Sequence, residues 1–460
     1  MFSIVASETS ALTFISIPGL AYIGNLGFLQ VAAGYIAGRV VVATVLLPRY
    51  FEGELVTAYA LLEKRFGLET RRFTSIVFLV TRAMADSVRV FATAIPIALI
   101  IGPVLPRQYL MPVAILILGV LTIVYTYKGG MRAVVWTEIL QAAIYLTGGV
   151  SAVVLLGQAV TGGWGAILDA ARAGGKLTAI SLYTGFDQPH TLFAGLLGGA
   201  FLAMASHGAD QMIVQRLLSS RSLREAQRAI IGSGIVVFFQ FALFLTVGLG
   251  LWAFYEGAGF NAPDSIFPTF IIQRMPHGLL GLIVAAILAA TMSTHSGAIN
   301  SLAASTTHDI YLPLTRRSAD DPRTFRAGRR FALAWGVVLT LGAMLFPEGR
   351  TPVVVIALSI ASFTYGALLG GFFLGIFNRR AAQRDAILGM SVGIVAMAGV
   401  VFAKPIVAAV PALGAVLGPF ANVAWPWYVL IGTTITMLVG SGSALVRPGR
   451  ASSIATDSRS

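Results

Sequence analysis

Ile230-Ile-Gly-Ser-Gly-Ile-Val-Val-Phe-Phe-Gln-Phe-Ala-Leu-Phe-Leu-Thr-Val-Gly-Leu-Gly-Leu-Trp-Ala-Phe-Tyr255 runs for 26 residues without a charged side chain. At about 1.5 Å per residue, a helix of that length crosses the ~30 Å hydrocarbon core of a bilayer. It lacks the polar stripe that a helix on the surface of a soluble protein needs. Comparable runs occupy Val113–Tyr125, Leu279–Met292 and Ile387–Phe402. Over all 460 residues, 57% are hydrophobic and 11% charged, with a mean hydropathy of +0.82. Soluble domains carry roughly 25% charged residues. The short alternating segments of a membrane β-barrel are absent from the sequence. The fold class is therefore all-α integral membrane.

Hydropathy and turn residues place twelve spans near 2–19, 27–48, 73–103, 109–127, 133–157, 190–212, 229–254, 278–304, 328–346, 351–377, 385–403 and 423–445. If odd-numbered helices run from cytoplasm to exterior, 23 of the 32 basic residues fall on the inner side and six on the outer. The densest inner loop holds Arg316, Arg317, Arg323, Arg326, Arg329 and Arg330. That asymmetry is what the positive-inside rule expects, with both termini cytoplasmic in an inner (plasma) membrane. It also accounts for the pI near 10.3 without nucleic acid as a partner. Cysteine is absent, which excludes disulfides and thiolate metal sites. The first span meets Ser7, Glu8, Thr9 and Ser10 soon after Met1, with no basic leader and no cleavage site. Upstream sequence completing that helix is the expectation.

Polar runs inside hydrocarbon are costly, so those that occur point to function. The first span reads Ala6-Ser-Glu-Thr-Ser-Ala-Leu-Thr13 and the eighth Ala289-Ala-Thr-Met-Ser-Thr-His-Ser-Gly-Ala-Ile-Asn300-Ser301. Hydroxyls facing the freed carbonyls of a broken helix are the oxygen-rich setting that a hard cation such as Na⁺ requires. Single hydroxyls in membrane helices more often bond back to their own carbonyls, but two clusters together favour the ion site. Asp86 and Arg89 lie in an apolar stretch and are solute-site candidates, although Arg82 four residues before Asp86 could make them a structural ion-pair set. Arg39, in the middle of the second span, needs a partner inside the bundle, and a carbonyl is the expected one.

The chain resembles the sodium–solute symporter family of sodium–glucose, proline and sialic-acid transporters. The resemblance rests on Ser7–Gly19, Leu62-Glu-Lys-Arg-Phe-Gly67, Gly129-Gly-Met-Arg-Ala-Val-Val-Trp-Thr-Glu-Ile-Leu-Gln141, Asp210-Gln-Met-Ile-Val-Gln-Arg216, the run ending Thr307-His-Asp-Ile-Tyr311, and Tyr365-Gly-Ala-Leu-Leu-Gly-Gly-Phe-Phe-Leu-Gly375. It implies a LeuT-type inverted repeat of five plus five helices over 1–377, two peripheral helices over 378–446 and a short cytoplasmic tail, 447–460. It also implies sodium-coupled symport of a small organic solute by alternating access, with Na⁺ as coupling ion and no organic cofactor. The main sodium site then falls on the carbonyls of Ala6, Thr9 and Ala290 and the hydroxyls of Ser293 and Thr294. Positions matching a second, deeper ion are Glu138, Ser293, Ser296 and Gly297. Relatives usually place Asp at the first of these and a hydroxyl at the last. Glu8 occupies a place where relatives vary. Solute candidates by position are Ser10, Thr13, Gln30, Ser206 and His207, the last two at the expected break of the sixth helix; they join Asp86 and Arg89, singled out by their charge. A sugar would need several hydroxyl-binding groups there, whereas a carboxylate would favour Arg89 or a helix N-terminus.

The sequence offers little to other classes. The five histidines form no metal or nucleophile–base motif, so an enzyme is not expected. Gly174-Gly-Lys176 lacks the first glycine and the hydroxyl of a phosphate loop. A transporter-like sensor would need an output domain after Arg447. The nearest alternative is proton coupling through Glu8 and Glu138.

Overall fold

The computed structural model describes residues 11–52, 57–128, 131–346 and 349–446, excluding the side chains of 128 and 131–139. Twelve helical elements follow one another: α1 (Ala11–Ile23), α2 (Phe28–Phe51, with a π turn at Val42–Leu46), α3 (Leu68–Ile101), α4 (Arg107–Lys128), α5 (Met131–Ala159), the two-armed α6, α7 (Leu223–Phe254), α8 (His277–Ser305), α9 (Pro322–Ala343), α10 (Val353–Phe377), α11 (Gln383–Val401) and α12 (Trp427–Val446). No strand occurs among the described residues. Nine helices among them are long and apolar enough to cross a membrane. The other three have local reasons. α1 has 13 described residues, α6 is broken, and α9 opens on Arg323, Arg326, Arg329 and Arg330. Short helices not anticipated from hydropathy include Ala60–Phe66, Gly163–Ala173, Ile266–Arg274 and Ala403–Ala409.

The break in α6 lies later than the sequence suggested. A π turn (Ala194–Gly198) leads into Gly199–Gly208, which carries Ser206 and His207 within its last turn. The chain then breaks at Ala209-Asp210 and resumes as Gln211–Leu218. Asp210 is extended, and its carboxylate caps the second arm by accepting from the Met212 amide at 2.8 Å. The Tyr50 hydroxyl donates to the freed Gly208 carbonyl, and the Gln211 side chain accepts from the Ala58 amide. Irregular backbone survives at membrane depth only with such replacements.

Small residues set the closest approaches. At Gly34 and Gly38 on α2 a Cβ would collide with the carbonyls of Gly195 and Ala200, so the two helices meet backbone to backbone. Gly366 of α10 and Gly432 of α12 touch in the same manner, and α11 packs against both helices. Phe14 of α1 is fully buried beside Tyr145 of α5, Phe244 of α7 and Phe267, with ring centroids 4.9–5.4 Å apart. The Tyr145 hydroxyl donates to Ala286 of α8.

Each end is latched. At the arginine-rich end Asp309, in the π turn Thr306–Tyr311 that extends α8, accepts from Arg71 (2.7 Å), Ser75 (2.5 Å) and Thr57 (3.1 Å). Arg71 also pairs with Glu63 at 2.6 Å. At the opposite end Lys176 lies over the Trp252 ring and donates to the Tyr22 carbonyl at 2.7 Å, satisfying the C-terminal end of α1. Asp264, in the turn Pro263–Ser265, accepts from the Val353 amide that starts α10.

Burial pushes the Asp264 carboxyl up to about 6, although the Ser16 hydroxyl and the Val353 amide favour its charged form. Its ordinary value is 3.8, so the folded protein holds this proton more tightly than the unfolded chain. The resulting stabilisation is complete below pH 3.8 and is lost as pH rises through 6. Asp264→Asn should remove that component of the pH dependence. It should also raise stability at pH 7.5 by of order 1–3 kcal/mol, read from thermal unfolding in detergent across pH 4–8.

Candidate functional site

Arg82, Asp86 and Arg89 occupy successive turns of α3, and Asp210 faces them from the α6 break. The Arg82 guanidinium is 2.5 Å from Asp86 and 3.3 Å from Asp210, and Arg89 is 3.3 Å from Asp86. The Tyr365 hydroxyl of α10 donates to Asp210 at 2.6 Å. Arg82, Asp86 and Asp210 are each at most 4% exposed. The set joins α3, both arms of α6, and α10 at the depth of the break.

In front of it is a cavity of about 150 Å³. α1 contributes Leu12 and Thr13; α2, Phe28, Tyr35 and Arg39; α3, Arg82 and Arg89; α6, Ser206, His207 and Met212; α7, Phe241; and α10, Ala361 and Tyr365. Of the solute candidates, Thr13, Arg89, Ser206 and His207 line this chamber. Gln30 does not. Its amide donates to the carbonyls of Gly27 and His190 and accepts from the Ser181 amide, tying the start of α2 to the segment before α6. Asp86 lies behind Arg82 and Arg89 and faces a second, water-sized cavity of about 20 Å³. Ser10 and Glu8 lie outside the described residues. Arg39 reaches α7, where the Ser233 hydroxyl accepts from it at 2.7 Å.

The α8 members of the expected sodium set, Ala290, Ser293 and Thr294, lie on the half of α8 that meets α1 and α3. Ala290 and Ser293 are nearly fully buried, and Thr294 lines the small cavity beside Ala11 and Leu12. Ala6 and Thr9 lie outside the described residues. Ser296 is buried on the same helix. Glu138 belongs to α5, which packs along α8, but its side chain is also outside the described residues. Gly297 faces α6, where a Cβ would come within 3.3 Å of the Arg216 guanidinium.

Three functional-site residues escaped the sequence reading. Asp210 was legible in principle as a carboxylate within an apolar stretch. Tyr365 sits in a run too uniformly apolar to single it out. His295, next to Thr294, is 4% exposed and faces the small cavity with neither ring nitrogen hydrogen-bonded.

The profile of the sodium:solute symporter family spans residues 1–393. The chain belongs to this family. It is 28% identical over 403 residues to the sodium/sialic acid symporter SiaT of Proteus mirabilis, covering 86% of this chain and 80% of that one. It is 29% identical over 406 residues to the sodium-dependent multivitamin transporter of Oryctolagus cuniculus, covering 85% and 62%. A solved structure of a Na⁺-coupled sialic acid symporter, substrate-bound and outward-open, matches with a TM-score of 0.81 at 26% identity, over 97% of this chain and 89% of that one. The fold of this symporter is the LeuT-type inverted repeat, and its function is sodium-coupled solute transport across a membrane that it crosses many times.

Removing one member of a buried ion set leaves the others uncompensated, at a cost of about 3–5 kcal/mol. Arg82→Ala strands Asp86 and Asp210 together and should abolish recovery of monodisperse protein. Asp210→Asn keeps one oxygen to cap Met212 and puts an amide donor, in place of an acceptor, toward the Tyr365 hydroxyl, so it should fold with a lowered melting temperature. Size-exclusion profiles and thermal unfolding of the two variants compare them directly.

Proposed function

We propose that this symporter takes up a small organic anion together with one sodium ion, through the chamber between α1, α2, α3, α6, α7 and α10. The observation that carries the reading is the sign of the chamber. Arg39, Arg82 and Arg89 line it, and no carboxylate does among the described residues. Asp86 and Asp210 neutralise Arg82 from behind, which leaves the cavity side positive. Arg89 is the candidate for carboxylate recognition. It makes one long contact to Asp86, and its buried Nε has no hydrogen-bond partner. A planar guanidinium can offer a carboxylate two parallel N–H bonds. Thr13, Ser206 and His207 supply hydrogen bonds, and Phe28 and Phe241 provide apolar walls.

The sodium ion is assigned to Ala6, Thr9, Ala290, Ser293 and Thr294. A stoichiometry of one is favoured because the deeper position has Gly297 in place of a hydroxyl and the Arg216 guanidinium nearby. Glu138 and Ser296 then serve the exit path. The ten-helix core comprises 1–377, with α11 and α12 peripheral. The arginine-rich ends, including the Asp309 latch and both termini, face the cytoplasm, consistent with the positive-inside rule.

Two experiments test this. In a thermal-shift screen, carboxylate solutes should stabilise the protein only with Na⁺ present, and neutral sugars should not. Arg89→Gln should weaken the effective carboxylate by roughly 10–150-fold, the loss of one charge-assisted pair. Sodium-dependent stabilisation by a neutral sugar would overturn the anion assignment. For the ion, Ser293→Ala combined with Thr294→Ala should abolish sodium-driven uptake in proteoliposomes while the protein still inserts. Undiminished uptake with unchanged sodium dependence would remove those ligands from the site.

A further inference from the structure

Between α4, α8 and the start of α9, at the arginine-rich end, is a cavity of about 470 Å³ that is separate from the transport chamber. Its size falls within the ~300–1,000 Å³ typical of small-ligand sites. α8 divides it from the pathway. Gly297 faces Arg216 of α6, whereas Ala303 and Thr307 turn the other way and line this cavity.

The mouth opens sideways. Tyr127 is 58% exposed, Phe325 69% and Leu333 48%. They continue the outward-facing apolar surface formed by Val120 and Val124 on α4 and Val337 and Leu341 on α9. On a membrane protein that surface meets acyl chains. The rim is cationic. The Arg329 guanidinium lies over the Tyr127 ring at 4.1 Å. Residues 316–330 hold six arginines against two acids, Asp320 and Asp321. Asp321 is engaged in capping α9.

We propose that this groove binds an anionic phospholipid, with an acyl chain in the slot beside Ala303 and Leu333 and the phosphate on Arg329. An apolar slot under a basic rim at the membrane boundary suits an amphiphile with a negative head. Basic side chains at such a surface attract acidic lipid. A free anion would leave the slot unfilled. The chain's own tail is a poor occupant, because Arg447, Arg450 and Arg459 against Asp457 give it the same sign as the rim. The bound lipid would touch Thr307 and His308 in the same π turn that presents Asp309 to Arg71. It therefore braces the latch from outside.

The test uses the full chain, delipidated and exchanged into nanodiscs of phosphatidylcholine with or without phosphatidylglycerol, with retained lipid counted by native mass spectrometry. Wild type should keep phosphatidylglycerol in preference to phosphatidylcholine. Arg329→Gln should lower that preference roughly fivefold, the equivalent of about 1 kcal/mol for one basic side chain. Ala303→Trp should exclude the chain from the slot. If the tryptophan variant fails to fold, Arg329→Gln alone decides the question, because its side chain lies at the exposed rim. Unchanged preference in Arg329→Gln would overturn the proposal. So would full displacement by inorganic phosphate at equal head-group concentration, which would mark a site for a free anion.

Discussion

A guanidinium inside a bilayer must find counter-charge within the protein, and Arg82 is the point around which this molecule resolves that demand. Its two carboxylates come from different elements, Asp86 from its own helix and Asp210 from the break in α6. The second carboxylate is available because α6 is interrupted there, and the interruption is tolerated because Asp210 also caps the arm that follows it. Tyr365 then draws α10 to the same oxygen. One unavoidable ion pair thus fixes the helices that enclose the chamber, and it leaves the chamber with positive charge to spare. Buried ion sets give little net stability compared with apolar packing. What this one supplies is register and polarity at the place where a solute is to be held.

The latches at the two ends have different chemistry. At the arginine-rich end, one carboxylate gathers an arginine and a serine from α3 and a threonine from the turn before Ala60–Phe66. At the other, the contacts are mostly to backbone: a lysine to the Tyr22 carbonyl near the end of α1 and an aspartate to the first amide of α10. Helix ends carry unsatisfied groups in any case, so these contacts also complete the helices they restrain. A transporter that must open each side in turn can release such ties without exposing a large apolar surface.

Helices such as α7 and α10 could be read directly, because nothing but hydrocarbon suits so long an uncharged run. The basic loops gave the alternation, and the charges in α3 marked the chamber wall. What could not be read was direction around a helix. Gln30 is a polar residue at about the right depth, but its partners are carbonyl and amide groups of a segment some 150 residues away, so its side chain turns from the cavity. The break in α6 is expected at Ser206 and His207 from the family resemblance. It falls at Asp210 instead, since a cap must precede the amides it satisfies. Tyr365 and His295 stayed hidden for the opposite reason: each has a role set by neighbours on other helices, which local composition does not record.

The grip on Asp309 has a further consequence for opening. Its carboxylate is held by three donors at once, and Arg71 is in turn held by Glu63. Such contacts fail together or hardly at all, since losing one leaves the others close enough to recapture the group. Opening at this end therefore requires these contacts to be released together. Each opening of the carrier at this end has to break the whole clasp, however tightly or loosely the cargo is held above it.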